Sequence, residues 1–196
     1  STPIKSSAAS DVYKRQKEYT MLVIIGPSAS GKTQIVNSLI QFYKMKKMVT
    51  YTTRPIRNQE VNGIDYYFIK EEEFLKKITN NFFLEYVSYN GYYYGTANNE
   101  LSSDKVVIVE KEGLKAYLQK AKEQIKIVFI RCSKPIRRLR MMERNDDLEC
   151  IHTRLIHDDE IFDDEVRELA DLIIDTSNSN VYDDAKKIYE FYKKYI

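Results

Sequence analysis

Met21-Leu22-Val23-Ile24-Ile25-Gly26-Pro27-Ser28-Ala29-Ser30-Gly31-Lys32-Thr33 is the stretch on which the reading of this chain turns. The first five residues form an unbroken apolar run, the pattern of a strand buried on both faces. Two glycines with four residues between them follow, and then Lys and Thr, the spacing of a phosphate-binding loop (P-loop). The glycines allow a tight turn in which successive backbone N–H groups point inward at phosphate oxygens. The helix that opens at Gly31 aims its positive end at the same anion. Gly26, Ser28, Ala29, Ser30, Gly31, Lys32 and Thr33 are therefore the expected phosphate contacts. Lys32 bridges the outer phosphates, and the Thr33 hydroxyl is placed to hold Mg²⁺, which takes oxygen ligands.

The alternation of apolar runs and helical patterns continues outward. Strands are expected from Tyr19 to Ile25, Met48 to Thr53, Lys105 to Glu110, Ile125 to Ile130 and Leu172 to Ile174. Helices are expected from Gly31 to Tyr43, Gly113 to Ala121, Pro135 to Glu143, Leu148 to Leu169 and Val181 to Tyr195. In the first of these Ile35, Val36, Leu39, Ile40 and Tyr43 share a face. Such alternation predicts an α/β fold: a P-loop parallel sheet covered by helices.

At 196 residues the chain suits one compact domain with small excursions. Its net charge of +2 lacks the strongly basic footprint of a nucleic-acid binder. No apolar run approaches membrane-spanning length. Cys132 and Cys150 are too few for a disulfide framework and are not at zinc-site spacing from His152 or His157. A cytoplasmic protein with neither nucleic-acid nor membrane partners fits. Residues 1–16 lack both periodicity and the apolar centre of a signal peptide, and read as a non-native or disordered leader. The core is then expected over 17–53, 101–140 and 159–196.

Residues 54–100 break the rhythm. Asp65-Tyr66-Tyr67-Phe68-Ile69 is followed by a helix from Glu71 to Ile78 and strand-like Phe82 to Tyr89, with Asn90-Gly91 a hairpin signal before Tyr92-Tyr93-Tyr94. This predicts a small α+β insertion. Arg54 and Arg57 lie three residues apart, and two guanidinium groups so placed can hold a second phosphate, with tyrosine hydroxyls completing the shell. Taken singly, each is as readily a surface charge or strand filler. Arg137, Arg138 and the acidic stretch Asp158 to Glu168 read as solvated surface.

Taken together, these segments resemble the guanylate kinase family over nearly the whole chain after the leader. The resemblance rests on Thr52-Thr53-Arg54, Arg57, Glu60, Asn62-Gly63, Asp65-Tyr66, Phe68, Phe83-Leu84-Glu85 and Tyr93-Tyr94-Gly95-Thr96, in the family's order and spacing. It implies an enzyme that transfers the γ-phosphoryl group of MgATP to GMP, giving ADP and GDP. It implies that Arg54, Arg57, Tyr66 and Tyr94 hold the acceptor phosphate, making 54–100 an NMP-binding insertion. By the same resemblance Glu85, Thr50 and Thr96 read the guanine edge, and Glu110 takes the place of an acidic residue that follows the next core strand. Residues 141–158 match the short lid. Arg140, Arg144 and Arg154 match its arginines, which with Lys32 stabilise the transferring group. Guanine chemistry agrees, because N1–H and the 2-amino group are donors on one edge, a carboxylate accepts both, and adenine offers neither.

Four positions depart from the family pattern. Ala29 replaces a central glycine, Tyr51 a small hydroxyl residue, Ile108 the first Asp of Asp-x-Asp, and Asn145 the glycine after the lid arginine. Two other readings compete: a P-loop kinase with a different phosphorylated acceptor, and a non-catalytic guanylate-kinase-like module that binds phosphopeptides. The intact Lys32-Thr33 pair argues against the second.

Overall fold

Met21–Ile25 (β1) is completely buried along its length, and the rest of the chain is built around it. The computed structural model describes residues 20–56, 60–89 and 91–196. Tyr19, the leader, Arg57 and Asn90 lie outside the described residues.

β1 is followed by α1 (Lys32–Tyr43) and β2 (Lys46–Lys47). Further along come β3 (Tyr51–Thr52), β4 (Tyr67–Phe68), α2 (Glu71–Thr79), β5 (Phe83–Tyr89), β6 (Tyr92–Ala97), β7 (Lys105–Ile108), α3 (Lys111–Ala121) and β8 (Ile125–Arg131). The chain ends with α4 (Lys134–Glu143), α5 (Leu148–Ile161), α6 (Asp164–Glu168), β9 (Leu172–Asp175) and α7 (Val181–Tyr192). The main sheet has the order β2-β7-β1-β8-β9 and is parallel throughout.

Because successive side chains of a strand point to opposite faces, β1 serves two cores. Met21, Val23 and Ile25 pack with Leu114 and Tyr117 of α3 and with Phe129 and Phe162. Leu22 and Ile24 pack with Ile35 and Leu39 of α1 and with Ile188 and Tyr192 of α7. Full burial of each such aliphatic side chain contributes about 1.5–3 kcal/mol. That is why an all-apolar strand takes the centre.

The second sheet has the order β4-β3-β6-β5 and is mostly antiparallel. α2 covers it by inserting Phe74, which is fully buried and stacks on Phe83 at 4.4 Å and Tyr93 at 5.4 Å. Glu71–Glu73 in its first turn and Lys76 and Lys77 in its last complement the helix dipole.

Several expectations change. Met48 to Thr53 is not one strand. β2 closes the edge of the main sheet, Met48 donates its N–H to Val106 O and buries its side chain, and β3 opens the second sheet. The chain thus leaves one sheet for the other between them. Tyr51 turns its ring into an aromatic cluster, 4.7 Å from Tyr67 and edge-on to Phe82 and Phe83. Within Asp65 to Ile69 only Tyr67–Phe68 is a strand, and the Asp65 carboxylate accepts the Val61 N–H. The long helix from Leu148 breaks at Phe162, whose ring enters the core, and Asp163 caps α6 through the Val166 N–H.

Gly95 lies under this insertion: a Cβ there would stand 2.9 Å from Phe74 and 3.0 Å from Phe83. Gly95→Ala is expected to lower stability by about 1–3 kcal/mol through overpacking of the aromatic layer, measured by urea denaturation.

Candidate functional site

The parallel sheet delivers the C-terminal ends of its strands to one edge, and the phosphate loop sits there. Gly26 has φ +148°, and a Cβ on it would lie 2.3 Å from the Ile130 carbonyl oxygen. Only glycine lets β1 turn this closely against β8. Gly31, at φ 98°, caps α1. Lys32 turns its ammonium back to the carbonyls of Gly26 (2.5 Å) and Pro27 (2.8 Å). Burial lowers the Lys32 pKa, while the charges of Glu110 and Asp158 oppose that shift. The Ser30 hydroxyl is buried with no hydrogen-bond partner among the described residues. Ala29 adopts left-handed backbone, φ 57°, and its methyl packs on Met141, Ile151 and Leu155 between α4 and α5.

Two residues read as surface prove to hold this loop. Asp158 is buried and accepts from the Ser28 N–H (2.9 Å) and hydroxyl (3.2 Å). It also receives Arg137 Nη1 at 3.0 Å, and Arg137 Nη2 reaches Asp159 at 2.8 Å. Arg137 is only 3% exposed, so the surface assignment of both groups is corrected. Each charge sits on an apolar face, Arg137 four residues before buried Met141 and Asp158 after Ile151 and Leu155 at helical spacing. Periodicity was the available signal, and it outranks residue type here.

The three lid arginines are placed differently. Arg140 donates to Ala29 O (3.2 Å) and Thr176 O (2.8 Å), and the Thr176 hydroxyl donates to Ser30 O at 2.7 Å. Arg140 therefore fastens the loop to the end of β9. Arg144 ends α4, exposed, and its charge helps lower the Lys32 pKa. Arg154 is directed away, into an exposed ion pair with Asp146 at 3.2 Å. Asn145 takes left-handed backbone, φ 58°, in the place where glycine is usual.

The insertion carries the residues expected at the second phosphate. Arg54 is buried, with its guanidinium held by Glu60 at 2.7 and 3.0 Å and by Pro55 O at 2.8 Å. It lies 5.5 Å from the ring centres of both Tyr66 and Phe68, and Tyr66 meets Tyr94 edge-on at 6.0 Å. Hydrogen bonding to Glu60 is the main reason the Arg54 pKa is raised. Arg57 lies outside the described residues. Glu110 follows β7, and burial raises its pKa against the pull of Lys32. Its charge also acts on Tyr66, so it influences both Lys32 and a residue of the insertion.

Beyond Arg54 lies Glu85 on β5, 6% exposed. The Thr96 hydroxyl donates to its Oε1 at 2.7 Å. Desolvation pushes the Glu85 carboxyl up to about 7, against the Thr96 hydrogen bond and the more distant Lys120. Thr50 is half-buried beside β3, and its carbonyl accepts from the Tyr67 N–H. Among the described residues no group of three or more His, Cys, Asp or Glu could hold a metal. The exposed Thr33 hydroxyl at the start of α1 fits Mg²⁺ carried in on nucleotide phosphates, an ion that commonly binds through few protein ligands.

A family model described as guanylate kinase matches residues 18–195. The chain is 37% identical over 145 residues to a guanylate kinase of Helicobacter hepaticus, a match covering 69% of this chain and 72% of that one. It is 33% identical over 174 residues to a guanylate kinase of Protochlamydia amoebophila, covering 79% and 87%. The crystal structure of guanylate kinase from Anaplasma phagocytophilum matches with a TM-score of 0.63 at 22% identity, over 90% of this chain and 85% of that one. At that identity the structure speaks to the fold.

The Arg137–Asp158 pair is expected to be energetically coupled. Asp158→Ala and Arg137→Met should each cost about 3–5 kcal/mol by taking from a buried charge its buried counter-charge. The double variant should cost less than the two losses added, measured as a urea-denaturation cycle.

Proposed function

The chain belongs to the guanylate kinase family, the nucleoside monophosphate kinases that its sequence matches from 18 to 195. On that premise we propose that it transfers the γ-phosphoryl group of ATP to GMP, giving ADP and GDP. The observation that carries the choice of acceptor is Glu85, a buried carboxylate held by Thr96 and with no ion pair among the described residues. Such a group is costly unless a ligand supplies donors. Guanine supplies two, N1–H and the 2-amino group, whereas adenine would leave the carboxylate desolvated and unpaired. A site of this kind discriminates by up to about 10⁴–10⁵.

In this reading Arg54, Arg57, Tyr66 and Tyr94 fix the GMP phosphate, while Glu85, Thr96 and Thr50 hold the base. The amides of residues 28–33, with Gly26 and Lys32, take the ATP phosphates. Lys32 exchanges its two carbonyl partners for phosphate oxygens, and the anion restores the charge that burial weakens. Thr33 would hold the Mg²⁺ that ATP carries, and the ion would supply positive charge against the phosphates. Arg140 and Arg144 stand at the loop to neutralise the transferring group. Arg154 joins them only if lid closure draws it from Asp146. The acceptor phosphate oxygen is already nucleophilic, so Glu110 serves in placing the two anion sites and no strong base is needed.

Two free cysteines, Cys132 and Cys150, support a reducing, cytoplasmic setting. No helix among the described residues is long and apolar enough to cross a membrane.

ADP formation from MgATP is expected with GMP, and not with AMP, CMP or UMP. Failure with GMP alongside turnover of another phosphorylated acceptor would overturn the assignment. Guanine binding needs ionised Glu85, so kcat/KM for GMP should fall on the acid side with an apparent pKa near 7, and that limb should vanish in Glu85→Gln.

Stability should run the other way. A carboxyl raised from 4.5 to about 7 on folding contributes fully below its unfolded value and loses that contribution as pH rises through 7. The amount is about 3 kcal/mol. Glu85→Gln should therefore melt higher than the unsubstituted protein at pH 8 while its kcat/KM for GMP falls sharply, as read by thermal melting beside the kinase assay.

A further inference from the structure

Tyr117 sits on α3 in the core of the main sheet, four residues before Ala121 and three after Leu114, all buried. Its spacing is that of core filler. Its hydroxyl nevertheless leaves the core and enters the insertion, where it donates to Thr96 Oγ1 on β6 at 2.8 Å. Met48 Sδ lies 3.3 Å away on the other side. A phenol has one proton, and a hydroxyl oxygen accepts it better than a thioether does. Burial, aided by the charges of Glu85 and Glu100, keeps Tyr117 protonated far above any working pH.

The direction of the chain follows from proton counting. Thr96 also has one proton. Its oxygen accepts from Tyr117, so its own hydrogen goes to Glu85 Oε1 at 2.7 Å. The groups that face Glu85 are then Thr96 from β6, with Tyr117 behind it, and Lys120 from α3 at longer range. We propose that Tyr117 is a specificity-positioning residue of the acceptor base site: it sets Thr96 as a donor, which keeps Glu85 an acceptor and leaves the second carboxylate oxygen for the base.

Without the phenol, Thr96 is free to turn its hydrogen elsewhere and accept one instead. The neutral acid form of Glu85 would then donate to Thr96. A carboxylic acid presents one acceptor fewer and suits the donor edge of guanine poorly. Tyr117 thus acts through Thr96 and Glu85 without touching the substrate. It also ties the base reader, which belongs to the second sheet, to a helix of the main core.

This proposal rests on the reading of Glu85 as the base reader, and one experiment separates the two. Tyr117→Phe, Thr96→Val, Glu85→Gln and the double variant Tyr117→Phe/Glu85→Gln are compared for kcat/KM with GMP, KM for ATP, the pH profile and thermal melting. Removing the hydroxyl–hydroxyl bond that fixes Thr96 should lower kcat/KM for GMP about fivefold in Tyr117→Phe. Its acid limb should move to higher pH, with KM for ATP unchanged and no further loss in the Glu85→Gln background. Thr96→Val cuts the same chain at its middle and should shift the limb in the same direction, which keeps the test available if the Phe variant folds poorly. If Glu85→Gln abolishes GMP use while Tyr117→Phe leaves rate and limb unchanged, the relay is overturned and the base reader stands. If Tyr117→Phe instead weakens ATP and GMP alike with a drop in melting temperature, Tyr117 is core packing and the proposal fails. If Glu85→Gln itself leaves GMP selectivity intact, both the base reader and the relay built on it fail.

Discussion

The approach of β1 to β8 at Gly26 is the constraint on which the site depends. With a Cβ 2.3 Å from the Ile130 carbonyl excluded, the chain turns within one residue of the sheet edge and runs directly into α1. The other parallel strands end at the same edge, so that β7 brings Glu110, β8 brings Cys132 and Ser133, and β9 brings Thr176. Ligand sites of open parallel sheets gather at the carboxyl ends of strands for this reason. β1 can hold the central place because its five apolar residues satisfy two cores at once. The loop's geometry thus joins two requirements, strand packing on both faces and glycine at Gly26.

Two buried charges show opposite solutions to the cost of desolvation. Asp158 is met by Arg137 and by both donors of Ser28, so the protein itself supplies its partners. Glu85 has only the hydroxyl and backbone N–H of Thr96, a distant ammonium and a raised pKa. A carboxylate that is fully satisfied by the protein is architecture. One left with an open oxygen is poised for a ligand. The contrast separates the two acids more clearly than either burial or residue type does, since both are nearly inaccessible.

Much of this was legible beforehand, and the limits have physical causes. β1, the phosphate loop and α1 could be read because a glycine pattern, an apolar run and a helical face agree over adjacent residues. The insertion could be placed because Asn90-Gly91 and the aromatic runs carry local signals. Met48 to Thr53 looked continuous because β-branched and aromatic residues fill both halves, and nothing local marks the passage from one sheet to another. Arg137 and Asp158 were misassigned because charge was given more weight than helical position. Tyr117 gave no sign at all, since its role depends on a hydroxyl that meets a strand 21 residues earlier in the chain.

Ala29 shows how closely the loop and the helices of the lid region are joined. Left-handed backbone costs a non-glycine residue about 1–2 kcal/mol. Burying one methyl group against Met141, Ile151 and Leu155 returns about 0.8 kcal/mol, which does not offset it. The conformation must therefore be imposed by neighbours, and three are in place on consecutive residues. Asp158 of α5 holds the Ser28 N–H, Arg140 of α4 holds Ala29 O, and Thr176 after β9 holds Ser30 O. Two of those three holds come from α4 and α5. Any displacement of these helices toward bound nucleotide must carry residues 28–30 with it or release them, so the strain at Ala29 and the position of the helices form a single equilibrium.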